Sequence, residues 1–333
     1  MPRQTAEQAA RLSVAPMMDW TDRHCRYLHR LLSRHALLYT EMVTAPALIR
    51  GGAVHLLTYN AAEHPVALQL GGSDPAELAQ AARVGAGEGY DEINLNVGCP
   101  SDRVQSGTFG AVLMKTPDLV ADCVTAMIAA VDVPVTVKCR IGVDDQTPED
   151  VLPDFLMRIR DAGVTRVAIH ARKAWLQGLS PKENRDIPPL DYDLVHAMKA
   201  AFPDMHISIN GGLETLSQAR DHLARGLDGA MIGRAAYHTP WDTLARADSV
   251  IFGDKDPFET PHDVVEAIVP YIEAHIASGG RLHNVTRHML GLFQGRPGAR
   301  AWRRVLSERV HAEGAGVEVL RDALAQVPKD AAA

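Results

Sequence analysis

The chain has 333 residues, 46% of them hydrophobic, and a net charge of -7, enough for one large barrel-type domain or two smaller ones and too acidic for a protein that coats nucleic acid indiscriminately. Its four cysteines, Cys25, Cys99, Cys123 and Cys139, are far apart and show neither a CxxC pair nor a Cys/His metal spacing, which favours free thiols and no metal. No run of 18 apolar residues and no apolar leader is present, so the expectation is a cytoplasmic monomer, neither exported nor membrane-spanning.

Taken in chain order, eight short β-branched or apolar runs predict strands over 13–17, 37–43, 66–71, 92–97, 135–140, 166–170, 206–210 and 229–233. Several are apolar almost throughout, such as "PVTVKC", "RVAIH" and "GAMIG", as strands of a parallel sheet buried on both faces should be. Segments 76–88, 148–162 and 216–225 have helical period, with Asp74-Pro75 and Thr147-Pro148 as N-cap and N1 pairs. Eight alternating units over about 240 residues predict a (β/α)₈ TIM barrel rather than a doubly wound sheet. After Arg234 prolines and glycines break the pattern, and helices are expected over 264–276, 283–293, 299–309 and 317–326. The expected division is therefore a barrel, 1–245, followed by a linker and a small all-helical C-terminal domain, 246–333. That domain carries Arg281, Arg287, Arg296, Arg300, Arg303, Arg304 and Arg309 against one acid, Glu308, within residues 281–311, which suggests a polyanion bound at one face.

In this fold chemistry collects at the C-terminal ends of the strands. Those ends carry Pro16, Met17, Met18 and Asp19, then Gln69, Asn96 and Cys99, then Lys138 and Arg140, His170 and Arg172, Asn210, Gly211 and Gly212, and finally Gly233 and Arg234. The "NGG" and "GR" pairs suit a phosphate held by backbone N–H groups and a helix N-terminus, or else simply make tight turns. Lys138, inside an apolar strand, needs an anion, either a structural carboxylate or an anionic cofactor ring. His170 could be a satisfied core histidine or a ligand. Gln69 and Asn96 offer amides to the edge of a heterocycle or to loop backbone. Cys99 is either a buried structural thiol or an acid. Together these residues describe a pocket for a phosphorylated heterocycle, which FMN fits, and no G-x-G-x-x-G follows a strand to mark a Rossmann-type nicotinamide domain.

The stretches "APMMDWTDRHCR", "LYTEMVTA", "LQLGGSDP", "EINLNVGCPSDRVQSGTFGAVLM", "VKCRIG", "HARKAWLQGLSPKENRDIPPLDY", "INGG" and "MIGRAAY" resemble the tRNA-dihydrouridine synthases, the A subfamily in particular, from about residue 12 to 309. The resemblance implies an FMN enzyme that reduces uridines of the tRNA D-loop, at positions 20 and 20a, at the expense of NADPH. It implies FMN contacts from Pro16, Met17, Met18, Gln69, Lys138, His170, Asn210, Gly211, Gly212, Gly233 and Arg234. It implies Cys99 as the proton donor, Asn96 as a contact to the target uridine, and Lys182, Arg185, Arg300 and Arg303 as tRNA-binding residues, with Arg296 or Arg304 able to take a role. The loop 101–110 would carry the thiol over the base. A different class of substrate, a small pyrimidine as in a dihydroorotate-type dehydrogenase, explains the cysteine and the flavin pocket but not the arginine-rich helices; an inactive RNA-binding barrel leaves the strand-end residues unexplained.

Overall fold

In the computed structural model, which describes residues 5–101 and 109–329, eight parallel strands close into a barrel in sequence order. They are β1 (Leu12–Val14), β2 (Leu37–Thr44), β3 (Val66–Gly71), β4 (Glu92–Val97), β5 (Val135–Arg140), β6 (Arg166–His170), β7 (His206–Asn210) and β8 (Gly229–Ile232), with β8 pairing back onto β1. All eight expected strands are present. β3 and β4 are buried at every position, as strands covered on both faces require. An N-terminal turn of helix, Ala6–Ala9, plugs the bottom of the barrel, and Arg166 donates to its Ala6 carbonyl at 2.8 Å.

The longer helices are α1 (Arg23–Leu32), α2 (Pro75–Gly87), α3 (Pro117–Ile128), α4 (Pro148–Asp161), α5 (Tyr192–Ala201), α6 (Leu216–Ala224), α7 (Pro261–Ala277), α8 (Ala299–Glu308) and α9 (Val317–Leu324). Asp74 caps α2 by accepting from the Glu77 N–H, whereas Thr147 holds the N-cap position of α4 with no capping bond from its hydroxyl. No helix among the described residues is long and apolar enough to cross a membrane.

Two departures from the sequence reading matter. The helix expected over 283–293 ends at Thr286. Gly291 lies so close to His238 that a Cβ there would meet its carbonyl oxygen at 2.1 Å, and turns fill the space up to α8. The segment read as a linker is packed rather than slack: Asp248 is buried and accepts from the Ser33 hydroxyl at 2.6 Å and the Arg34 N–H at 3.0 Å. The C-terminal helices dock on α1. Tyr27 stacks on Tyr271 at 3.9 Å, His24 Nδ1 meets the Tyr271 hydroxyl at 2.7 Å, and Arg287 pairs with Asp22 at 2.6 Å.

Candidate active site

Alternate residues of β4, Glu92, Asn94 and Asn96, are polar and almost fully buried, which places them on one face of the strand. They join a continuous chain of side-chain hydrogen bonds. The Gly98 and Cys99 N–H groups both donate to Asn96 Oδ1 at 3.0 Å. Asn96 Nδ2 donates to Gln69 Oε1, Gln69 Nε2 to Asn94 Oδ1, and Asn94 Nδ2 to Thr136 Oγ1, each at 2.8 Å. The Thr136 hydroxyl donates to Glu92, which also accepts from Tyr39 and Arg166. Because two backbone N–H donors fix one end and a carboxylate fixes the other, no amide in the chain can turn over without orphaning a buried group. Asn96 thereby positions the Cys99 turn, and Gln69 is held beneath it at 1% exposure.

Cys99 is half-buried, with Sγ 3.5 Å from the Ser101 hydroxyl, and its carbonyl accepts from the Ala111 N–H at 2.9 Å. Residues 102–108, most of the loop expected to carry the thiol, lie outside the described residues. Around Cys99 stand Lys138, Arg140 and Arg185, each within electrostatic reach of it. Arg140, buried, ties the site together: Nε donates to the Gly98 carbonyl at 3.1 Å, and one terminal nitrogen to the carbonyls of Lys173 and Asn184 at 3.0 and 2.8 Å.

Burial, with Arg140 beside it, pulls the Lys138 ammonium down to about 8. Among the described residues Lys138 has no carboxylate partner to form the structural salt bridge that would explain it. Burial and the cations Arg140, Lys138, Arg172 and Arg185 hold His170 neutral, well below its usual range, and its buried Nδ1 has no hydrogen-bond partner among the described residues. The buried Nε of Arg172 is likewise unpaired. An unspent lysine, an orphaned imidazole nitrogen and an orphaned guanidinium N–H on adjoining strands are what an anionic or hydrogen-bond-accepting ligand would satisfy.

Gly211 and Gly212 take φ of +102° and +69°, where a side chain would be strained. A Cβ on Gly211 would stand 3.1 Å from His170 Nε2. Met17 and Ala15 approach Gly233 across the β8–β1 seam, with Pro16 half-buried and Met18 exposed beside them. Asn210 spends its amide on the Met231 carbonyl at 2.8 Å. Arg234 forms an ion pair with Asp186 at 2.7 Å, and the helix it opens, Arg234–His238, has only five residues. Positive charge at this rim therefore comes from side chains rather than from a helix end. The donor chemistry is compatible with FMN: backbone N–H groups of the glycines and the Arg234 guanidinium suit a phosphate, and Lys138 and His170 suit a ring with acceptor atoms.

The loop after β6 bears Lys182 and Arg185, both exposed. It is built around Asn184, fully buried, which accepts from the Trp175 N–H at 2.7 Å and donates to the Trp175, Leu179 and Ser180 carbonyls. Ser180 and Glu183 exchange side-chain-to-backbone bonds, a capping box visible in "SPKE". On α8, Ala299, Trp302 and Leu306 are buried, which leaves Arg300 and Arg304 exposed on the other side and Arg303 half-buried on the flank, four residues after Ala299. Arg303 donates to Gln294 Oε1 at 2.5 Å.

Asn184, Asn94, Thr136 and Glu92 were not singled out as functional from sequence, and Arg140 was noted only as a strand-end residue. The signal for two of them, Glu92 and Asn94, was present, as the polar period of two in "EINLN".

A profile of the Dihydrouridine synthase (Dus) family matches residues 13–328. The chain is 58% identical to the tRNA-dihydrouridine(20/20a) synthase of Vibrio parahaemolyticus, over 97% of this chain and 98% of that one. It is also 58% identical to the protein of that name from Escherichia coli K12, over 97% and 94%, and to that from Shewanella oneidensis, over 96% and 94%. Among solved structures, the old yellow enzyme homologue from Zymomonas mobilis aligns with a TM-score of 0.50 at 14% identity, over 69% of this chain and 86% of that one, a likeness of fold.

Proposed function

The chain belongs to the dihydrouridine synthase family, and on that premise we propose that it is a flavin-dependent tRNA-dihydrouridine synthase that reduces the C5–C6 double bond of uridines in tRNA. The observation that carries this reading is a thiol, Cys99, presented by the Asn96 turn with Lys138, Arg140 and Arg185 within electrostatic reach of it.

When bound, FMN supplies a hydride for C6 of the uracil, the carbon conjugated to the C4 carbonyl. Lys138, His170, the glycines at 211, 212 and 233, and Arg234 would hold it. Cys99 holds the proton that completes the reduction at C5: a thiol, with a reference pKa of about 8.5, is protonated at neutral pH where a carboxylic acid would be ionised. Lys138, Arg140 and Arg185 lower the cost of negative charge developing in the mouth. A base inside a folded tRNA reaches that mouth only when extruded, and Lys182, Arg185, Arg300 and Arg303 are the residues proposed to hold the backbone around it. The division into a catalytic barrel, 1–245, and a tRNA-binding helical part, 246–333, belongs to the same proposal. So do uridines 20 and 20a as targets, from the relatives' names, and NADPH as reductant and a cytoplasmic monomer, from the resemblance.

The test uses the purified, FMN-loaded protein, NADPH and a uridine-bearing tRNA. Dihydrouridine is expected in the tRNA, and reduction of free pyrimidines as fast as of tRNA would favour the small-pyrimidine alternative instead. Cys99→Ala should slow reoxidation of the prereduced protein by tRNA about 10²- to 10⁴-fold with FMN content unchanged. Unchanged turnover would remove Cys99 from the acid role.

A further inference from the structure

A second opening lies beside Met18, outside the residues just assigned: a cleft of about 450 Å³ between the end of β2, the start of α1 and the segment around residue 56. A β-bulge makes it. Two residues of β2, Thr40 and Glu41, oppose one of β3 between the Tyr39–Ala67 and Met42–Gln69 pairs, and the Thr40 hydroxyl takes up the Gln69 N–H at 3.1 Å. Bulges re-aim side chains, and here Glu41 and Met42 line the cleft.

Its walls are partly apolar and unusually bare, with Met18 52% and Leu56 49% exposed. Two of its four acidic and arginine residues are committed elsewhere: Arg26 pairs with Glu63 at 2.6 Å, and Asp22 pairs with Arg287 and caps α1. Two are not. Glu41 accepts an N–H from Asp19, a residue in the left-handed region at φ +65°, and among the described residues it forms no ion pair; burial pushes its carboxyl up. Arg23, which also lines the cleft, has no carboxylate partner among the described residues either. A partly apolar cleft with one carboxylate and one guanidinium that form no ion pair among the described residues is complementary to a nucleotide: side chains to stack on the base, an acceptor for its N–H edge, a cation for its phosphate.

We infer that this cleft is a subsite for the nucleotide next to the target uridine, selecting a base whose edge offers N–H donors to Glu41. Guanine suits it best, since N1–H and N2–H present a parallel pair to a carboxylate; adenine and cytosine offer one amine. The inference rests on the tRNA reading, because a base extruded from a polymer brings its neighbours to the rim.

The experiment compares wild-type holoenzyme with Glu41→Gln and Arg23→Ala on the same transcripts, carrying guanosine, inosine or adenosine on either side of the target, so that effects of the base on tRNA folding cancel. Wild type should prefer guanosine over inosine on one side by about tenfold in kcat/KM. Glu41→Gln should abolish that ranking, and Arg23→Ala should weaken all transcripts alike, with FMN content and the KM for NADPH unchanged in both. A ranking that survives Glu41→Gln overturns the inference, as does a raised KM for NADPH, which would make the cleft the reductant's. Wild-type protein inert on every tRNA overturns the proposed function with it, whereas tRNA reduction without a flanking-base preference overturns the cleft alone.

Discussion

Thr136 is the link through which the polar chain under the active site reaches Glu92, so Thr136→Val tests whether that chain is a rigid unit. The substitution keeps the shape of the side chain and removes one donor and one acceptor at a site 1% exposed. It leaves Asn94 Nδ2 without its acceptor, an orphaned buried amide worth about 1–3 kcal/mol, and removes a hydrogen bond to a charged acceptor, worth about 1.5–3 kcal/mol. The expected loss is about 3–5 kcal/mol, a large share of the roughly 5–15 kcal/mol available to a folded domain. Thr136→Ser keeps both bonds and loses one methyl group, about 1 kcal/mol. Urea unfolding of the three proteins measures the difference, and FMN affinity, read by quenching of flavin fluorescence, should fall in the valine variant and hold in the serine variant. If the valine variant lies within 1 kcal/mol of the serine one, the hydrogen bonds through Thr136 do not fix the amides above it.

Two further outcomes are expected. Arg300→Ala with Arg303→Ala should flatten the dependence of log Kd for tRNA on log salt by up to about 1.8, each lost phosphate contact removing roughly 0.7–0.9; Arg309→Ala, whose guanidinium is paired with Asp322 at 2.7 Å, should leave the slope alone, and an unaltered slope in the double variant would move the RNA face elsewhere. Acid should destabilise the fold well above the carboxylate range. Burial holds His24 and His29 at about 3 in the folded chain against about 6.5 unfolded, so between those values the unfolded state binds more protons and stability falls as pH falls. Each histidine contributes a slope of up to about 1.4 kcal/mol per pH unit, and an unfolding free energy that stays flat from pH 7 to 5 would show that these rings are not buried neutral.

The barrel was legible because its signals are local. A strand covered on both faces must be apolar at nearly every position, so "RVAIH" and "GAMIG" could be recognised without knowing their neighbours, and β6 and β8 fall where those runs lie. The expected helix over 283–293 failed for a reason that is not local: Gly291 serves the close approach of His238, a residue more than fifty positions earlier. In the site, the strand-end position of Cys99, Lys138 and His170 followed from the fold rule, and the inward period of Glu92, Asn94 and Asn96 stood in the sequence as a pattern. Which amide faces which could not be read there, because the partners between Cys99 and Glu92 come from neighbouring strands, Gln69 from β3 and Thr136 from β5, and are set beside Asn94 by strand pairing.

The same distinction reshapes the arginine cluster that first suggested a polyanion. Seven arginines against one acid is a count along the sequence, but charge available to RNA is what remains after pairing in space. Arg287 is drawn to Asp22, 265 residues away, and pins the helices to the barrel, while Arg309 is answered by Asp322 on α9 and Arg303 leans on Gln294. Among the described residues Arg281, Arg296, Arg300 and Arg304 have no carboxylate partner. Two structural arginines and a smaller free set therefore replace one uniform patch. Lys182 and Arg185 stand on the loop organised by Asn184, and Arg140 bonds both the Asn184 carbonyl and the Gly98 carbonyl, so the loop cations proposed to hold the tRNA backbone are mechanically joined to the thiol proposed to act on the base.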